Sequence, residues 1–112
     1  MTLELGEQAK ALEDACHRLL LRPDDALARE SVARTIAATE LSSSLEDDAF
    51  VRGLVAEAQA HADSLAFRLE GVGYDCLCIS ATTAMLCQAL AQLRLQLAAL
   101  AARNSGEFGL RL

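Results

Sequence analysis

The chain has no Trp, one Tyr, three Phe, two Ile and four Val. Half-buried strands are built from β-branched and aromatic side chains, so this scarcity excludes an extensive sheet. Pro23 is the one proline and only six of the 112 residues are glycine, so few positions break regular structure. There is no glycine-rich phosphate loop, no nucleophile elbow and no Glu-x-x-His pair of a di-iron bundle. The sequence thus offers catalysis no foothold and is expected not to encode an enzyme. Basic residues are few: Lys10 and nine Arg face sixteen acidic residues, a net charge of −6. That balance argues against direct nucleic-acid or anionic-membrane binding, both of which need a basic surface.

Alanine (22) and leucine (21) dominate, and with 53% hydrophobic and 23% charged residues the chain is a folded, all-helical unit. One domain is expected over residues 1–104, with a tail at 105–112. The bias towards Ala and Arg reads as coding from a GC-rich bacterial genome. Residues 1–7 lack a basic stretch leading into an apolar segment and cleavage site, which predicts a cytoplasmic protein.

Apolar periodicity predicts a four-helix bundle built on a long antiparallel hairpin, with helices at about 6–21, 25–41, 45–70 and 75–103. In the first, Leu5, Ala9, Leu12, Cys16 and Leu19 share a face, and Pro23 ends it. Asp24 or Asp25 caps the second, whose inward face is Ala28, Val32, Thr35 or Ile36, and Thr39, and the serines at 42–44 close it. Ser44 to Asp47 resembles a capping box opening the third. Its seam of Val51, Val55, Ala58, Ala62, Leu65, Leu69 and Val72 alternates steps of four and three. Gly71 and Gly73 break it. The fourth helix carries Cys76, Ile79, Thr83, Leu86, Leu90, Leu93, Leu97 and Leu100 on one face and is expected to stop at Asn104-Ser105-Gly106. No charge occurs from Cys76 to Leu93. Ser80, Thr82, Thr83, Gln88 and Gln92 are too polar a set for hydrocarbon, so this run reads as a buried central helix and not a membrane span.

At ~1.5 Å per residue the first two helices reach ~25 Å and the last two ~40 Å, so the short pair cannot cover the long one. The third helix also carries Gly53, Ala60, Phe67 and Tyr74 away from its seam, and the fourth carries Ala81, Gln88, Leu95 and Ala102, flanked by Cys78, Met85 and Gln92. Two apolar faces need two partners. Phe67, Tyr74, Met85, Leu95, Gln88 and Gln92 are therefore the candidate partner-binding residues, and a homodimer through the long hairpin is expected.

The acidic residues Asp24, Asp25, Glu46, Asp47 and Asp48 cluster at two helix starts, where they suit the helix dipole and form a candidate acidic surface for a basic partner. Cys16, Cys76, Cys78 and Cys87 are expected to be free thiols. Cys76 and Cys87 share a helix face but Cys78 is turned roughly 200° from Cys76, so neither a metal site nor a cofactor is expected. His17 and His61 lie at a helix end and at the flank of the core, where surface or satisfied imidazoles are usual.

The stretch Ala62-Asp63-Ser64-Leu65-Ala66-Phe67-Arg68-Leu69-Glu70-Gly71, with Leu77 and Ile79-Ser80 beyond it, resembles the Leu-Ala-Phe-x-Leu-Glu-Gly helix-turn-helix hairpin of a family of small uncharacterised bacterial helical proteins. The likeness spans about residues 57–93. That family carries basic residues after the turn glycine, where this chain has Val72-Gly73-Tyr74, and the next helix is offset by one position. The resemblance implies a packed hairpin and no particular activity. Together these features predict a small acidic, non-catalytic protein-binding module: a regulator, inhibitor or chaperone-like adaptor. A phage or mobile-element inhibitor of a nucleic-acid-handling complex is one form, and a bundle holding a metal or small ligand through Cys76, Cys87, Met85 or His61 is the alternative.

Overall fold

The structure, a computed structural model, describes residues 5–39, 41, 48–71 and 76–110, with the side chains of 77–102 in the last segment. It is an all-α bundle of four helices: α1 (Leu5–Leu21), α2 (Ala26–Ala38), α3 (Ala49–Glu70) and α4 (Cys76–Leu110). Each helix packs on two others in the cyclic order α1, α2, α3, α4, with the most extensive contacts made by α4 to α3 and to α1. The short links between Leu21 and Ala26 and between Glu70 and Cys76 set α1 antiparallel to α2 and α3 antiparallel to α4. The α1–α4 pair is antiparallel as well: a Cβ on Gly6 would lie 4.0 Å from Leu97, while Glu13 reaches Arg94.

Burial follows the predicted seams closely. Ala9, Leu12, Cys16 and Leu19 of α1, Val32 and Ile36 of α2, Val51, Val55, Ala58, Ala62 and Leu65 of α3, and Ile79, Leu86, Leu90 and Leu93 of α4 form the core. Leu5, Leu69, Leu97 and Leu100 pack at its margins. Two polar residues of α4 are inside. Thr83 is fully buried and donates to the Ile79 carbonyl at 2.7 Å, and Thr82 donates to that of Cys78 at 3.0 Å. The hydroxyls satisfy themselves within the helix, which is how a seam tolerates Thr without a buried orphan.

Three boundaries depart from expectation. The α2 helix ends at Ala38, with Thr39 extended and its amide donating to the Ile36 carbonyl. At 100° per residue, a helix continued through Leu41 would point that side chain about 140° away from Ile36. Breaking at Thr39 lets Leu41 bury completely. The α3 helix opens at Ala49, capped by Asp48, whose Oδ1 accepts from the Phe50 and Val51 amides at 2.9 and 3.1 Å. The expected capping box at 44–47 lies outside the described residues. Finally, α4 continues through Asn104-Ser105-Gly106 to Leu110. Asn and Gly lower helix propensity by under or about 1 kcal/mol each, and no proline follows to enforce a stop.

The molecule measures 59 × 25 × 24 Å. The 35 residues of α4 span ~52 Å, against ~33 Å for the 22 of α3, ~25 Å for α1 and ~20 Å for α2, so the two arms of the hairpin are unequal and α4 alone is much longer than its companions.

Candidate functional site

The site grows from the position of α4 between α1 and α3. Its core face points at both, and its opposite face is covered by neither. Leu77, Ala81, Ala84, Met85, Gln88, Gln92, Leu95, Ala98, Ala99, Ala101 and Ala102 are all exposed, and none is charged. Arg94 is the one charged residue from Leu77 to Ala102, and it turns inward to Glu13 of α1. The expectation of a buried central helix therefore holds for one side only: the charge-free run serves both the core and an open surface.

Of the candidate partner-binding residues, four lie on this surface. Met85, Gln88 and Gln92 line a groove shared with Glu57 and His61 of α3 and with Ala89 and Ala91. Leu95 is 64% exposed, seven residues beyond Gln88 on the same strip, and Met85 is 51% exposed. Phe67 is 67% exposed but belongs to the outer face of α3, together with the exposed Gly53 and Ala60, and does not line the groove. Charged, exposed Arg52, Asp63 and Glu70 interrupt α3's solvent side, whereas α4's has no such break. Tyr74 lies outside the described residues. Sequence reading missed Leu77, which is 78% exposed and extends the strip towards the hairpin turn.

The acidic candidates separate by role. Asp25 caps α2, its Oδ1 accepting from the Leu27 amide at 3.0 Å, and Asp48 caps α3 as above. Each uses its carboxylate on the helix it begins. Asp24 is exposed beside Asp25, while Glu46 and Asp47 are outside the described residues.

One further ion pair crosses elements. Glu13, with a side chain only 10% exposed, receives a 2.6 Å hydrogen bond from Nη1 of Arg94. Next to it in the α1–α4 seam, the buried thiols of Cys16 and Cys87 are close enough to interact. The Cys87 thiol beside it, burial, and the Glu13 carboxylate all push the Cys16 thiol up from its ordinary value. Contact with the Cys16 thiol lowers the value for Cys87, against burial and Glu13.

Cys87 faces α1, whereas Met85 and His61 border the groove between α3 and α4, so these three do not converge. Cys78 accepts from the Arg68 guanidinium across the hairpin. His61 approaches Glu57 at 3.8 Å, and His17 is exposed. Among the described residues no three His, Cys, Asp or Glu are placed to hold a metal. By length and composition alone, Leu77–Ala102 would suffice to cross a membrane. Within the bundle, however, its Ile79, Thr83, Leu86, Leu90 and Leu93 are buried against protein. The chain matches no protein family, no curated protein and no solved structure with which it was compared.

Proposed function

We propose that this protein is a small, acidic, non-catalytic association module that binds other protein surface through the open face of α4, with a second copy of itself as the first occupant. The observation that carries this reading is a helix face exposed from Leu77 to Ala102 without a charge on it. Ordinary surface helices alternate charged groups along their solvent side, and protein interfaces are depleted of charge at their centre. The α4 side of the contact contributes no charge, and Glu57 of α3, which borders the groove, is the acidic group on its lining. Ala81, Ala84, Ala98 and Ala102 permit close helix approach, and Gln88 and Gln92 supply hydrogen bonds across a two-fold axis.

The strip is ~39 Å long and ~10 Å wide, on the order of 400 Å² per copy before flanking side chains join it. A standard interface buries about 800 Å² per partner, so micromolar association is expected, not nanomolar. The biological role that fits is that of a regulator, inhibitor or adaptor whose partner presents a similar apolar helix. Inhibition of a nucleic-acid-handling complex through its basic channel draws less support, since Asp25 and Asp48 are engaged as caps.

Light scattering over a concentration series from about 1 to 100 μM tests this reading. The mass is expected to climb from 11.9 kDa towards twice that value. A constant monomer mass across the whole range would remove self-association from the proposal.

A further inference from the structure

Two buried thiols from different helices face each other in the core: Cys16 on α1 is completely buried and Cys87 on α4 is 9% exposed. Both are free. Their opposition is built into the antiparallel register. Gly6 lies against Leu97, and ten residues forward on α1 and ten back on α4 bring the chain to Cys16 and Cys87. Equal steps in opposite directions keep the two positions level, ~15 Å along the shared seam. Buried Ala9, Ala15 and Ala89 near that seam leave room for the backbones to approach. The facing charged groups are Glu13 of α1 and Arg94 of α4, which neutralise each other at 2.6 Å.

We infer that Cys16 and Cys87 are a redox pair that hydrogen peroxide converts to an intramolecular disulfide, clipping α1 to α4 behind the open face. The sulfur of Cys87, the less completely buried of the two residues, attacks one peroxide oxygen. An S–O bond forms, the O–O bond breaks, and water leaves with the thiol proton, giving a sulfenic acid. The Cys16 sulfur then attacks the Cys87 sulfur: the S–S bond forms, the S–O bond breaks and a second water carries off the remaining proton. Two thiols are oxidised and one peroxide is reduced to two waters. The peroxide comes from the medium, as an oxidant and not as a bound group. Cys78 does not compete for Cys16, because it stands at the hairpin end against Arg68 of α3.

The experiment treats the reduced full-length chain with hydrogen peroxide, followed by intact mass, non-reducing peptide mapping and a melting curve. A loss of about 2 Da, a cross-link joining the Cys16 and Cys87 peptides, and a melting temperature higher by roughly 5–15 °C are expected. The loop closed would span most of the chain, which is why the shift is large. A Cys76→Ser/Cys78→Ser double variant retains only the proposed pair, leaves the α1–α4 seam intact and is expected to lose the same mass. Four alkylatable thiols after treatment of the wild type, a link to Cys76 or Cys78, or a disulfide between copies would each overturn the inference. So would failure of the folded double variant to oxidise.

Discussion

At the residue scale, the Glu13–Arg94 pair decides how α1 sits on α4. Glu13 is an acid in an otherwise apolar seam, and Arg94 is the only charge α4 has along 26 residues, so each is the other's reason for being tolerated. The pair is unequal: the carboxylate is nearly enclosed, whereas the Arg94 side chain is 40% exposed. Solvent screens the arginine in part, so the loss on breaking the pair falls below the value for a fully enclosed one. Replacement of Arg94 by Met keeps most of the packing and strands the carboxylate. It is expected to lower unfolding free energy by about 1–3 kcal/mol in a denaturant titration. Adding Glu13→Leu to Arg94→Met should recover most of that loss, and additive losses in the double variant would show that the pair is not coupled.

At the scale of the element, α4 carries two independent patterns on one helix, and they respond to mutation differently. Leu90 is fully buried between α1 and α3, and Leu90→Ala is expected to cost about 2–5 kcal/mol in thermal or denaturant unfolding. A cost under 1 kcal/mol would mean that α4 is not packed as described. The seams were readable because a three-four apolar spacing has one physical meaning on a helix, and every described position of the α3 and α4 seams is buried or packed at the core margin. Ends were less readable. Ser44 and Asp48 are both good caps by residue type, and the choice depends on tertiary packing that local spacing does not encode. The end of α2 is set by Leu41, whose burial requires the helix to break first. In the candidate site, Met85, Gln88, Gln92 and Leu95 could be found from heptad position alone. Phe67 shares their heptad phase yet stands apart from the groove, because sequence phase marks a residue as facing away from its own core without saying towards what. The Cys16–Cys87 contact joins positions 71 apart, and only the α1–α4 register brings them together.

At the scale of the whole molecule, a 59 Å rod only 25 Å across has little interior relative to its surface, and α4 has one side unshielded over residues 77–102. A second copy would bury that side and thicken the rod, which stabilises an 11.9 kDa chain otherwise limited by its small core. Of the two exposed apolar faces, α4's is without charge over residues 77–102 and α3's is interrupted by charged residues, and the proposed association uses the first. The most direct measurement compares the light-scattering mass of Leu95→Glu with that of Phe67→Glu at one concentration where the wild type is dimeric. Both side chains are about two-thirds exposed, so neither change is expected to alter the fold by more than ~0.5 kcal/mol. Leu95→Glu is predicted to be monomeric and Phe67→Glu to remain a dimer. A dimeric Leu95→Glu, or a monomer produced by Phe67→Glu alone, would contradict the assignment of the α4 face as the association surface.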